Sequence, residues 1–351
     1  MYRNSAVGES IHDWKALSLD SAFINLPELP MPAAELTKSG GGKPLDQMKN
    51  CRICPRECGA DRTSGRPGFC RAPGKVILAR AALHLWEEPC ISGRSGSGAV
   101  FYSGCSLGCI YCQNAAISGV RGGSVLPGTG VSIDELAGIF LRLQGEGANN
   151  INLVTASHYI PQTAAALRIA KKRGLRIPVV YNSGGYEKVS SLRLLEGLVD
   201  VYLPDCKYWS AETARMYSRA PDYPEIARDA IAEMVRQAGE CVFYEADGGQ
   251  LIKKGVIVRH LLLPGHVSEA KEILAYLHGT YGDSIFLSIM NQYTPMPAVS
   301  GLPLLSRRTT RREYDRLTDY AIQIGVKNGF IQEGGTAKES FIPAWNGEGV
   351  R

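Results

Sequence analysis

The sequence predicts an α/β chain, a partial (β/α)6 TIM-like barrel with an N-terminal cysteine-rich metal-binding extension, and three observations carry that expectation. From residue 98 onward, short β-rich runs alternate with helical segments. The runs are apolar throughout, as strands buried on both faces of a parallel sheet are. Polar residues recur just after these runs, where the carboxyl ends of parallel strands form the site. A doubly wound sheet would share that last feature and fits the same alternation.

Taken in order, residues 1–50 carry "LPELPMPAAE" and "KSGGGKPLD" and read as an extended arm. Residues 51–97 form a cysteine-rich metal-binding segment, 98–335 the barrel and 336–351 a tail. The first barrel strand is "AVFYS", Ala99 to Ser103, leading directly into a cysteine loop. In "SIDELAGIFLRL", Ser132 and Glu135 are spaced as a capping box, and Leu136, Ile139, Phe140 and Leu143 share one helical face. "NINLVT" (150–155) is a strand, 161–173 a helix closed by Gly174, and "RIPVVYN" (176–182) a strand. A helix follows near 188–197, then the strand "DVYLPD", helices between 210 and 238, and the strand "GVIVRHLLL". The last units are a helix at 268–278, the strand "SIFLSIM", a helix over 309–325 and the short strand "GFIQE".

Bulk composition narrows the function classes. The chain is 44% hydrophobic and 21% charged, close to a globular average, so a buried core is expected. Its net charge of +5 is too small to argue for nucleic acid, and the dense stretch "RRTTRREYDR" (307–316) reads as a solvated helix face. No apolar run of about 18 residues is present to span a bilayer, and the first twenty residues lack the apolar core of a signal peptide. The expected location is cytoplasmic. There, ten cysteines point to metal ligation wherever they cluster.

They cluster twice. "CSLGCIYCQN" packs Cys105, Cys109 and Cys112 into eight positions and supplies no fourth. Such a loop can hold three corners of a [4Fe-4S] cube and leave one iron open, or share a zinc with a distant fourth donor. Cys206 is the most suspicious distant donor, but strand alternation points it opposite to Asp205 and Lys207. Upstream, Cys51, Cys54, Cys58 and Cys70 supply four thiolates, enough to close a site for zinc or a second iron-sulfur cluster. Cys90, Cys206 and Cys241 stand alone and read as small buried hydrophobes.

The string "FYSGCSLGCIYCQN", with the aromatic Tyr111 just before the last cysteine, resembles the signature of the radical S-adenosylmethionine superfamily. The wider context, "CRICPRECG" through "GFC", "EEPCISG" and "GSGAVFYSGC", resembles the branch related to pyruvate formate-lyase activating enzymes. The resemblance implies that Cys105, Cys109 and Cys112 ligate three irons while S-adenosylmethionine chelates the fourth. One electron would then cleave it to methionine and a 5'-deoxyadenosyl radical. In place of that branch's Gly-Gly-Glu element the sequence has "LVTASHYIP", making Thr155, Ser157 and His158 candidate cofactor contacts. Asp205 and Lys207 resemble the branch's Asp-x-Lys element, and "VIVRHLLLPG" makes Arg259 and His260 candidates, one of them facing inward. Asn182 with the following "SGGYE" turn is placed near the ribose, and Asn291, Gln292 and Tyr293 lie where substrate approaches.

Implied partners are an electron donor such as flavodoxin or ferredoxin and a glycyl radical enzyme as the radical's acceptor. Two other readings stay open: the same radical chemistry on a small molecule, RNA or peptide, and a non-catalytic zinc-binding interaction protein. No G-x-x-x-x-G-K-[ST] or H-E-x-x-H string supports a nucleotide hydrolase or a metalloprotease.

Overall fold

A computed structural model describes residues 14–17, 46–119, 126–332 and 343–350. The short strand β1 (Trp14–Ala16) comes first; β2 (Val76–His84), α1 (Pro89–Ser92) and β3 (Ser97–Tyr102) follow the upstream cysteines. Beyond the cysteine loop come α2 (Ala115–Ser118), β4 (Thr129–Val131) and α3 (Ile133–Gly145). Next are β5 (Ile151–Val154) with α4 (Ile160–Lys172), β6 (Val179–Ser183) with α5 (Val189–Leu192), and β7 (Val201–Pro204) with α6 (Ala211–Ser218) and α7 (Tyr223–Ala238). The hairpin of β8 (Val242–Ala246) and β9 (Gly249–Leu261) leads to α8 (Val267–Tyr281), β10 (Phe286–Met290), α9 (Arg311–Gln323) and β11 (Gly329–Gln332).

Local chemistry explains several of these boundaries. Ser132 and Glu135 form the expected capping box of α3, and Thr310 and Glu313 form another on α9, whose Arg311, Arg312 and Arg316 are exposed. The expected helix at 188–197 is α5 followed by a 3-10 turn at Arg193–Leu195. The helical stretch from 210 breaks at Arg219, which takes φ +52° as the cap of α6. Two features differ from the expectation. Residues 76–84 form an antiparallel strand between β3 and the short edge strand β4, and Asp247 and Gly248, both with positive φ, close the β8–β9 hairpin.

β3, β5, β6, β7, β9, β10 and β11 are parallel neighbours in chain order, and β2 with β4 at one edge and β1 at the other pair antiparallel. The order never reverses, so there is no switch point of the doubly wound kind. Which face the helices cover settles the architecture. Outward residues such as Leu153, Tyr181, Tyr202, Val258 and Ile289 share one core with Phe140 of α3, Leu167 of α4, Ile231 of α7, Leu274 of α8 and Leu317 of α9. On the other face Val180, Val201, Leu203, Ile257, Phe286 and Phe330 close around Cys90 and Ile91 of α1. Helices on one face and a short plug on the other make a partial barrel. Asn150, just before β5, donates to the Ile91 carbonyl at 2.7 Å, which fixes the plug near the amino ends of the strands. The carboxyl ends are left to the site.

Of the expected arm, 14–17 lie along β11, while 1–13 and 18–45 fall outside the described residues. Of the expected tail, Trp345 packs edge-on against Phe101 with ring centroids 5.2 Å apart. No helix among the described residues is long and apolar enough to cross a membrane.

Candidate active site

A cavity of about 250 Å³ opens at the carboxyl ends of the strands. β3 is buried along its whole length and delivers the cysteine loop to this mouth, where Cys105, Cys109 and Cys112 all line the cavity. The turn requires Gly104: at φ +97°, a Cβ there would sit 2.8 Å from the Cys70 carbonyl oxygen and 2.9 Å from the His158 ring. The loop is then fastened to α6, with Ile110 N–H donating to the Tyr217 carbonyl at 2.8 Å and Ser218 Oγ to Cys109 Sγ at 3.1 Å. Burial pushes the Cys105 thiol up and that of Cys112 to about 12; neighbouring thiols add to it, and Lys207 opposes it. The buried thiols of Cys105 and Cys112 favour a cationic centre beside them before they ionise.

Among the described residues no three His, Cys, Asp or Glu side chains form a group able to hold a metal ion. The soft donor set along one wall suits an iron-sulfur cube, which takes each sulfur on its own iron instead of drawing all of them onto one ion. Tyr111 lines the same wall, buried among the rings of Tyr208, Tyr217 and Tyr293 at 6.1 to 6.4 Å. Those rings make the floor of the loop dry.

Thr155 follows β5 at φ +52°, an outlier for a β-branched residue, and its N–H donates to the Asn182 carbonyl at 3.0 Å. Ser157 turns into the cavity, but His158 does not. The 3-10 turn Ser157–Tyr159 sends the His158 ring behind the cysteine loop, where Nε2 meets the Ser103 carbonyl at 2.8 Å. Burial and then the Arg62 charge press its pKa down to about 3, so the ring is neutral. The expected cofactor contact at His158 is corrected to a support under the loop.

Ser157 Oγ instead donates to Glu187, which also accepts from the Tyr181 hydroxyl at 3.2 Å. Glu187 lines the cavity and is almost wholly buried, which raises its pKa to about 7. Glu187 is the last residue of the "SGGYE" turn placed near the ribose, though sequence reasoning assigned it no role of its own. The turn is the usable signal: at Gly185, φ +76°, a Cβ would lie 2.1 Å from the Asp205 carbonyl oxygen, so only glycine lets the chain fold back over β7.

Asp205 and Lys207 both line the cavity and pair with each other, while Cys206 between them joins the outer core. Arg259 faces inward and His260 outward, its Nδ1 2.7 Å from the Cys206 carbonyl oxygen. Arg259 binds Glu88 through Nε at 2.8 Å, pairs with Glu87 as well, and reaches Asn182 Oδ1 at 3.5 Å. Burial alone would raise Glu87, but the Arg259 guanidinium outweighs it and holds the carboxyl below its usual value. Glu87 and Glu88 open the "EEPCISG" string quoted for the resemblance, but neither was given a role from sequence. Ser288 Oγ donates to Glu88 at 2.7 Å and Asn152 Nδ2 to Glu87 at 2.9 Å, so this triad is a satisfied network.

Of the three residues after β10, Gln292 lines the cavity and Asn291 lies outside its lining. Tyr293 is core, its hydroxyl bound to the Leu305 carbonyl at 2.6 Å. Upstream, Cys51, Cys54 and Cys70 are buried and Cys58 is exposed. Burial pushes the Cys54 thiol up to about 12, and a backbone hydrogen bond from Arg56 opposes it.

No family model matches the chain. It is 29% identical over 277 residues to the uncharacterized protein MJ0674 of Methanocaldococcus jannaschii, covering 78% of this chain and 75% of that one. Three solved structures show distant likeness. SuiB of Streptococcus suis bound to S-adenosylmethionine is 13% identical with TM-score 0.43, over 66% of this chain and 48% of that one. Methylornithine synthase, PylB, is 14% identical with TM-score 0.43, over 64% and 60%. The FeFe-hydrogenase maturase HydG of Carboxydothermus hydrogenoformans is 13% identical with TM-score 0.45, over 65% and 50%. This chain thus spans about half to three fifths of their length. Likenesses of this size leave the function to be argued from the residues.

Proposed function

We propose that the chain is a radical S-adenosylmethionine enzyme with a [4Fe-4S] cluster on Cys105, Cys109 and Cys112. The observation that carries this is three thiols without a fourth in the lining of a cavity that Glu187, a buried acid, and the Asp205–Lys207 pair also line. When bound, the cluster supplies the electron that cleaves S-adenosylmethionine to methionine and a 5'-deoxyadenosyl radical, which abstracts a hydrogen atom. The residues of the chain bind, orient and keep the site dry. Glu187, set by Ser157 and Tyr181, supplies the carboxyl that the loop after β5 lacks and suits an ammonium group. Lys207 suits a carboxylate, and Asp205 holds its charge in place. Asn182 offers polar contact to a ribose, and Gln292 lies at the substrate side.

In this reading the radical is passed to a backbone glycine of a glycyl radical enzyme, with electrons from a flavodoxin or ferredoxin. Its support is the resemblance around residues 51–114. The four upstream thiols hold a second metal, iron-sulfur or zinc, on the strength of their number and spacing in the sequence. The test is anaerobic reconstitution, reduction and assay of 5'-deoxyadenosine from S-adenosylmethionine. Intact cluster without that product would sink the proposal. A glycyl doublet in electron paramagnetic resonance, found on mixing with a glycyl radical enzyme, separates the activating role from action on a small molecule, RNA or peptide.

A further inference from the structure

Arg56 lies between Cys54 and Cys58, yet its guanidinium donates its hydrogen bonds outside the upstream cysteine segment. Nε donates to the Ser106 carbonyl at 2.9 Å and Nη2 to the Leu107 carbonyl at 3.1 Å, both inside the Cys105–Cys112 loop. The same group reaches the Ser218 carbonyl at 2.9 Å and the Arg219 carbonyl at 2.5 Å, at the end of α6. Its flat face lies 3.9 Å from the Phe69 ring centroid and 5.2 Å from that of Tyr186. Ser218 in turn donates to Cys109 Sγ, so one guanidinium gathers the start of the loop and the helix end that touches its second cysteine.

Capping α6 alone would account for two of the four acceptors. The other two are carbonyls flanked by Cys105 and Cys109, and only a planar fork spans both pairs at once. All four acceptors are carbonyls, so no carboxylate is bonded to the guanidinium that stands beside the loop. Both effects bear on a bound anionic cluster: the fork holds the loop's shape, and the charge stabilises the added electron.

We infer that Arg56 is a positioning residue for the cluster loop, through which the upstream cysteine segment acts on the radical site. This rests on the cluster reading above and goes beyond it, since nothing in that reading requires a contribution from residue 56. Replacement by glutamine removes fork and charge, and replacement by lysine keeps only the charge. Arg52→Gln is the control, since Arg52 is exposed and pairs only loosely with Glu57 at 3.8 Å.

The experiment is an anaerobic redox titration of the reconstituted full chain, reading the S-adenosylmethionine-responsive cluster signal, together with the rate of iron loss to a chelator. Arg56→Gln is expected to disfavour reduction about tenfold, a 59 mV shift to lower potential for one electron, and to speed iron loss by a similar factor. Arg56→Lys should recover most of the potential and little of the retention, and Arg52→Gln should match the wild type. Equal potential and equal iron loss in Arg56→Gln and Arg52→Gln would overturn the assignment. So would a potential that falls equally in the glutamine and lysine variants while circular dichroism shows both folded. If Arg56→Gln does not fold, the lysine variant decides alone, by faster iron loss at a near wild-type potential. A wild-type chain with no responsive signal would instead refute the cluster reading.

Discussion

Replacing Glu187 by glutamine removes one titration from the cavity wall, and its size follows from where the carboxyl sits. Glu187 is 2% exposed and accepts hydrogen bonds from Ser157 and Tyr181. Burial outweighs those bonds and moves its pKa from 4.5 to about 7. Multiplying that gap by 1.36 kcal/mol per pH unit gives about 3 kcal/mol, with no discount for solvent at so buried a site.

Below pH 4.5 folded and unfolded chains both carry the proton, and the group favours neither. Between 4.5 and about 7 the unfolded chain has released it while the folded chain still holds it, so rising pH favours unfolding. Above 7 the loss is complete. Glutamine, neutral at every pH, escapes this loss.

Urea unfolding of the cluster-free chain at pH 5, 6, 7 and 8, wild type beside Glu187→Gln, reads the effect directly. The variant should gain on the wild type by about 2 to 3 kcal/mol between pH 5 and pH 8. Burial lowers the pKa values of His84, His158 and His260, which disfavours folding at low pH in both proteins and cancels in the difference. A stability difference that does not change with pH would refute the reasoning, because it would mean that the carboxyl titrates alike in folded and unfolded chains.

Other outcomes follow from the same geometry. Alanine at Cys105, Cys109 or Cys112 should remove about four irons per chain and reduce 5'-deoxyadenosine to background, measured by iron analysis and chromatography. Gly104→Ala should cost about 1 to 3 kcal/mol in thermal unfolding, since φ +97° and the 2.8 Å approach to the Cys70 carbonyl both oppose a methyl group. Asp205→Asn should weaken S-adenosylmethionine binding about tenfold by calorimetry, as Lys207 loses the partner that orients it. Arg259→Met should destabilise by about 3 to 5 kcal/mol in denaturant, because Glu87 and Glu88 are then left unpaired.

The barrel was legible because its strands are apolar runs of ordinary length and its helices carry caps, as at Ser132 and Glu135. Strand β2 was not. "VILARAALH" buries positions without a period of two, and its alanines favour helix in isolation; pairing with β3 and β4 decides the matter. The β8–β9 hairpin was legible but passed over, since "ADGG" between β-prone runs is a strong turn signal. The burial and pairing of Glu87 and Glu88 were not legible even inside "EEPCISG", because acidic residues are ordinarily exposed and Arg259 lies far along the chain. Glu187 was within reach through Gly184 and Gly185, whose only physical reason is a chain folding back on itself.

What decided the site at single-residue level was which of two neighbours faces the cavity. Asp205 and Lys207 line it and Cys206 does not; Arg259 does and His260 does not; Ser157 does and His158 does not; Gln292 does and Tyr293 does not. Along a strand this follows from alternation alone, and the sequence was enough to separate Cys206 from its neighbours. Past a strand's end alternation stops, so the 3-10 turn at 157–159 and the irregular chain after Met290 had to be seen. The outward partners are not idle. His158 holds the Ser103 carbonyl behind the cysteine loop, His260 holds the Cys206 carbonyl between Asp205 and Lys207, and Tyr293 packs on Tyr111. Each fixes the backbone from which an inward side chain projects, so a cavity-facing residue and its buried neighbour form one unit. Substituting the outward member should therefore disturb the site without touching it.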